Sequence, residues 1–376
     1  MYKCFVKSIR SKALFKRTLC NVSYGYLNLT VQDRTMPYFE NLKKNIIYIN
    51  NSKDCKECIN EIKKKFSSEK QNFIGLDIEG YKIGKDGIVS IIQICADDIY
   101  IFDIYKCDNS YLFIKYIKDL LEDERIVKVT HDCREDCSIL YNQYDVRLNN
   151  IFDTQVAYNI LLKERKKEMY QISFDDLLYK CLLLNNNQKI YFHKMIALEQ
   201  KIYLQRPISK ELIHYAVQDV LYLKPLMLSL VHMLSGVHKK EHTGERCSKV
   251  VRTAHEEKGE VKISEEKEMK TSIVANISDI DIIMQVIKCS QKYINYQSLN
   301  SHIKNEKELQ KGMTLEGMVV SCNNINIYVK LNMSKKGVIA NCLHHKYNIG
   351  DIVKCVILGF GTNNYIKLGL YDSSIL

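Results

Sequence analysis

The chain predicts an α/β fold, a mixed sheet flanked by helices, followed by a small C-terminal all-β barrel. Three observations lead there. Between residues 45 and 130, strand-like apolar runs alternate with tight turns and amphipathic helices. From 155 to 235 the pattern turns mostly helical. The stretch 314–376 carries five short strands punctuated by Gly317, Gly337 and the Gly350-Asp351 pair, as a small barrel does.

Taken in order, NIIYINN (45–51) reads as a strand. Ser52 caps a helix that places Cys55, Ile59, Ile62 and Phe66 on one face. FIGLDI (73–78), IVSIIQIC (88–95) and IYIFDI (99–104) are strands, with GKDG and ADD supplying the turns between them. An amphipathic helix follows at about 111–122, then a strand at 126–130 and a helix after His131. Asn185–Gln188 is a loop, Pro207 breaks the helical pattern, and Ser209 caps the next helix. Residues 239–270 hold nine Lys/Arg and eight Glu with few large apolar groups, the mark of a solvated linker. A short helix is expected at about 278–290. The domain reading is therefore a leader or arm at 1–35, a core at 40–235, a charged linker at 236–275, a helical connector at 276–313 and the barrel at 314–376.

Composition sets the outer bounds. A chain of 376 residues with 46% hydrophobic residues can bury a core in two domains or three small ones. The formal charge of +11 and pI of about 8.8 suit a polyanionic partner. No apolar run approaches the roughly 18 residues of a membrane span, which predicts a soluble protein with no membrane partner. The 14 cysteines are irregularly spaced, which fits a reduced, intracellular setting. Cys55/Cys58 and Cys133/Cys137 read as core thiols on helix faces, not as zinc ligands. Residues 1–32 carry Lys3, Lys7, Arg10, Lys12, Lys16 and Arg17 and no acid. Such a leader fits a mitochondrial or other organellar transit peptide, and equally a basic arm on a cytoplasmic or nuclear protein.

Four acids carry the chemistry: Asp77 and Glu79 in FIGLDIEG, Asp136 in THDCRED and Asp219 in YAVQDV. Burying a carboxylate at the end of an apolar strand is costly without a partner, so a chain that does it repeatedly is collecting acids around divalent cations. Asp77 and Glu79, two apart, share one face of a strand; Tyr215 and Asp219, four apart, share one face of a helix. The ordered set D-x-E, D, Y-x-x-x-D resembles the tyrosine-type DEDD 3′→5′ exonucleases of the ribonuclease D kind. EGYKIGKDGIVSIIQICADDIYIFDIY, KVTHDCREDCSILYNQYDVRLNNIFDTQVA and RPISKELIHYAVQDVLYL resemble the three motif segments of the egalitarian-type subfamily. The resemblance runs over about 40–235 and implies a ribonuclease H-like fold.

It also implies the site. Two Mg2+ or Mn2+ ions would activate a water, neutralise the phosphate and stabilise the leaving oxygen. Hard carboxylate oxygens suit such ions. Asp77 would bridge both ions, Glu79 and Asp219 would complete one site, and Asp136 would hold the second. Tyr215 would orient the water, being a poor base at its ordinary pKa near 10. Asp132 and Glu135 flank Asp136, but spacing favours Asp136. His131 and Asp153 match positions beside the motifs. Gln93, Lys128 and Arg206 could reach a substrate backbone, though a structural role suits each better.

In the C-terminal segment, the order G-x-V, Y-V-x-L, K-G-V-I, G-D-x-V, I-x-L-x-L resembles an S1-type OB-fold, which implies nucleic-acid binding. Tyr328 stands where such domains present a stacking aromatic, with Lys330, Lys335 and Lys336 beside it and Phe360, Tyr347 and Tyr365 as further candidates. The resulting expectation is a metal-dependent 3′→5′ exonuclease on single-stranded nucleic acid, RNA favoured over DNA, with protein partners unspecified. The alternative is a catalytically weak RNA-binding adaptor in a small-RNA or messenger-RNA complex, since members of this subfamily can lose the acids and persist as scaffolds. A DNA-repair exonuclease ranks last.

Overall fold

The computed structural model of the chain describes residues 18–21, 44–66, 72–184, 189–243, 277–323, 325–340, 347–361 and 364–371. Seven strands form one mixed sheet: β1 (Thr18–Asn21), β2 (Asn45–Ile49), β3 (Asn72–Tyr81), β4 (Ile88–Cys95), β5 (Ile99–Asp103), β6 (Ile126–Thr130) and β7 (Ile151–Asp153). Their order is β1-β2-β5-β4-β3-β6-β7. The successive strands β3, β4 and β5 pair antiparallel through tight turns. β2 on β5, β6 on β3 and β7 on β6 pair in parallel, and each of these crossovers includes a helix between the paired strands. The expected α/β class is thus present. β7, three residues long, is a strand that the sequence pattern does not reveal.

Alternation along the strands divides the core. Leu76, Ile78, Ile92 and Ile94 point to the face covered by α1 (Ser52–Phe66), α2 (Ser110–Leu121) and α3 (Arg134–Tyr144). Ile91 and Cys95 point to the opposite face, under α4 (Thr154–Glu164), α5 (Phe174–Leu182), α7 (Lys210–Leu221) and α8 (Leu223–Thr243). A further helix, α6 (Lys189–Leu198), packs beside α7. Cys55, Cys58, Cys133 and Cys137 are buried core thiols, as expected. No helix among the described residues is long and apolar enough to cross a membrane. The expected loop at 185–188, most of the basic leader and residues 244–275 of the expected linker lie outside the described residues.

Lys128, on β6, shows what full burial does to an ammonium group. Its side chain is 0% exposed, and Nζ donates to the Asp123 carbonyl at 2.9 Å. Desolvation pushes its pKa down to about 7, against the attraction of Asp123. The folded chain therefore releases this proton near neutrality, whereas the unfolded chain holds it to about pH 10. The unfolded state binds more protons in that window, so this group makes stability rise from about pH 7 towards 10. Lys128→Met should flatten the rise, read as melting temperatures of both proteins at pH 6.5 and 9.5. Parallel profiles would rule the account out.

The helix expected as a connector, α9 (Ile277–Asn295), belongs to the core. It packs on β7, α8 and α4. Ile282, Ile283 and Val286 enter the core under α4 and α8, while Tyr293, Ile294 and the following Tyr296 and Leu299 enter the other. Each large aliphatic side chain so buried stabilises by about 1.5–3 kcal/mol. Beyond it, β8 (Thr314–Cys322), β9 (Asn326–Lys330), β10 (Lys336–Ala340), β11 (Ile352–Phe360) and β12 (Tyr365–Leu370) close a barrel in the order β10-β12-β11-β8-β9. The five expected strands are all there.

The barrel is fastened to the first body through segment 297–303. Asn300 Nδ2 donates to the Glu316 and Leu331 carbonyls at 2.7 and 2.8 Å, and its Oδ1 accepts from Glu316 N at 3.0 Å. The buried Lys85 donates to the Asn300 and Ile303 carbonyls. Asn332, 1% exposed, donates to the Gln297 and Leu299 carbonyls and accepts from Ser138 Oγ on α3. Buried amides with every hydrogen bond met fix one relative orientation.

Candidate active site

Asp77 and Glu79 stand on the β3 face that looks towards α7, because their neighbours Leu76 and Ile78 fill the opposite core. Gly75 lets α7 come close: a Cβ there would stand 2.7 Å from the Val220 carbonyl. That approach brings Asp219 to the strand. Carboxylate oxygens of Asp77, Glu79 and Asp219 all lie within 4.8 Å of one another, each side chain half-buried. Ser209 caps α7, its hydroxyl accepting from Leu212 N at 3.1 Å, as the sequence predicts. Arg206 fixes the approach to that cap: Nε and Nη2 hold Asp103 at 2.7 and 2.6 Å, and Nη2 also donates to Ser90 Oγ. Its role is structural.

Tyr215, one turn before Asp219, is 5% exposed, with its ring 5.0 Å from that of Phe192. Burial, then the charges of Asp219 and Glu79, push its hydroxyl far above the ordinary tyrosine value. It therefore stays a neutral hydroxyl at any working pH.

Asp136 lies outside the 4.8 Å set, in the first turn of α3. Burial, followed by the charge of Asp77, raises its carboxyl well above the usual range. It is close enough to feel the cluster. The turn that presents it is tied down from behind by Asp153, whose carboxylate accepts from Asp132 N at 3.1 Å and Cys133 N at 2.8 Å. The same carboxylate caps α4. Asp132 is neutralised by Arg134 at 2.5 Å; burial alone would raise its carboxyl, but the guanidinium overrides that and holds it below the carboxylate range. His131 bridges Thr154 Oγ1 and the Ile172 carbonyl at 2.9 and 3.1 Å, a packing role.

Two further polar groups stand beside the acids, Gln93, which the sequence reading assigned a structural role, and the half-buried Asp175, which it missed. Gln93 sits directly across from Asp77 on β4, 0% exposed, its amide without a hydrogen-bond partner among the described residues. Asp175, in the FDDL run, lines a hollow with Phe174, Gln218 and Asp219. For Asp175 the sequence offers one signal, an acid beside a helix cap.

On the barrel, Tyr328, Lys330 and Lys336 share its outer surface. Tyr328 meets Tyr365 with ring centroids 6.3 Å apart, and Lys336 lies between Lys330 and Tyr365 in register. Lys335 Nζ stands 5.2 Å over the exposed ring of Phe360. Lys330 is turned away from these, into an ion pair with Glu135 at 2.8 Å.

Residues 46–235 match the model of a 3′-5′ exonuclease family. The chain is 31% identical over 186 residues to the piRNA biogenesis protein EXD1 of Homo sapiens, covering 46% of this chain and 36% of that protein. It is 27% identical over 221 residues to the Egalitarian protein homolog of Caenorhabditis elegans, covering 54% and 37%. To ribonuclease D of Nitrobacter hamburgensis it is 30% identical over 117 residues, covering 31% and 27%. The matched part thus spans between about a quarter and little more than a third of these relatives. With a family match over half its length, the chain belongs to the 3′-5′ exonuclease family.

Proposed function

We propose that the chain is a metal-dependent 3′→5′ exoribonuclease acting on single-stranded ends. The convergence of Asp77, Glu79 and Asp219 within 4.8 Å carries this reading. Three carboxylates so close repel one another, and an all-oxygen donor set of this charge fits Mg2+ or Mn2+. Asp77, Glu79 and Asp219 would hold one ion, with Asp136 beside Asp77 for the second. Bound there, the ions supply charge neutralisation at the phosphate and an acidified water. The protein does the rest. Tyr215 offers a neutral hydroxyl that orients the attacking water, and the buried ring of Phe192 fixes that hydroxyl's position. Gly75 keeps α7 and β3 at the spacing the acids need.

RNA is favoured over DNA because relatives with similar sequences include a piRNA biogenesis protein and a ribonuclease D. The outer barrel surface adds Tyr328, Tyr365, Lys335 and Lys336 as a stacking and phosphate-binding face. Since the barrel is docked on the first body, this face holds the strand at a fixed distance from the acids.

The test is a 5′-labelled single-stranded RNA, and the same sequence as DNA, incubated with Mg2+, Mn2+ or EDTA. The expected result is a ladder shortening from the 3′ end, absent in EDTA and faster on RNA. RNA that binds yet keeps its length under every metal would instead establish the adaptor.

A further inference from the structure

The acids around Asp136 are sorted by fixed cations. Asp132 is matched by Arg134, which is wholly buried and stacks 4.7 Å over the Tyr293 ring. Glu135, immediately before Asp136, is matched by a cation from the barrel: Lys330 Nζ donates to its Oε1 at 2.8 Å. The Tyr296 hydroxyl donates to the same oxygen at 3.1 Å. The other carboxylate oxygen sits against the β3–β4 turn, 2.9 Å from where a Cβ on Gly84 would stand. Two residues beyond Asp136, Ser138 donates to Asn332, only two positions after Lys330. The helical turn that presents Asp136 is thus gripped on both sides by one short stretch of barrel.

From this geometry we infer that Lys330 is a positioning residue for the nuclease site and not an RNA contact. By holding Glu135 outward, it leaves Asp136 as the one acid of that turn facing Asp77. The barrel is then a structural part of the metal site as well as a binding module. The inference rests on the metal-dependent reading above and deepens it.

A double-mutant cycle tests it in the full-length chain, with Lys330→Met, Glu135→Gln and the pair. The measurements are Mn2+ uptake by loss of the free-ion EPR signal, RNA affinity in EDTA, and kcat and KM on labelled RNA. Losing a positive charge beside a cation site would, by charge alone, tighten Mn2+ binding. Lost positioning does the opposite. Lys330→Met should weaken Mn2+ uptake and lower kcat by about tenfold, the scale set by residues that orient metal ligands. RNA affinity should move by less than about twofold. In the Glu135→Gln background the same change should add nothing, and Lys330→Arg should keep wild-type values. The pair is partly buried, its side chains 22% and 32% exposed, so melting temperatures check that each variant stays folded.

Tighter or unchanged Mn2+ uptake in Lys330→Met overturns the inference. So does an RNA affinity that falls equally in both backgrounds, which would make Lys330 a nucleic-acid contact. A wild-type chain that takes up no Mn2+ overturns the metal-site reading itself, and this inference with it. Wild-type uptake indifferent to Lys330→Met overturns this inference alone.

Discussion

Asp77→Asn should slow hydrolysis by at least about a thousandfold while raising the melting temperature of the metal-free chain. Both effects come from one cause. Asp77 lies within 4.8 Å of Glu79 and Asp219, and its charge also raises the buried Asp136 carboxyl. In EDTA the folded chain must hold these like charges together, so neutralising the shared member relieves repulsion with almost no change in shape. On the proposed metal-site reading, the same substitution removes the oxygen donor shared by both ions. Wild-type protein should gain more stability from Mn2+ than the variant does, because a ligand that binds only the folded state stabilises it by mass action. The check is single-turnover cleavage of labelled RNA together with melting curves in EDTA and in Mn2+. A variant within tenfold of wild-type activity would sink the site assignment.

Arg134→Met should cost about 3 kcal/mol of stability at neutral pH. The guanidinium is 0% exposed, forms two hydrogen bonds to Asp132 and covers the Tyr293 ring. Its removal leaves Asp132 in a setting that burial alone makes hostile to charge. The sign with pH follows. In the wild type the Asp132 carboxyl is held below its unfolded value, so the pair's contribution is full above about pH 4 and fades as acid protonates it. The deficit of Arg134→Met should therefore be largest at pH 7 and shrink towards pH 3. Denaturant melts at both values read it. A deficit that is constant with pH would assign the loss to packing on Tyr293 and not to the charge.

Much of this was legible in the sequence, because the first body uses local signals at full strength. Period-two runs gave β3, β4 and β5, and Ser52 and Ser209 marked helix starts where the chain begins them. The acids could be placed because a two-residue spacing on a strand and a four-residue spacing on a helix each fix a common face. What could not be read depends on contacts between distant segments. β7 is three residues long, too short for any periodicity, and exists because β6 offers it an edge. The apolar stripe of α9 predicts a helix but not its seat on β7 and α8. The sequence marks Lys330 only as a cation beside an aromatic. Its engagement with Glu135, 195 positions away, follows from the docking of the barrel.

The seat of α9 changes how the charged stretch after α8 is to be regarded. Both α8 and α9 pack in one core, so the two ends that flank residues 244–276 belong to the same body. The chain that sets the barrel's place is therefore the one after α9, not the one before it. The separation between barrel and acids is set by segment 297–303 and by the contacts of Asn300, Asn332 and Lys85 that hold it, downstream of α9. A change in the length of the stretch between α8 and α9 should therefore leave the geometry of the acids as it is.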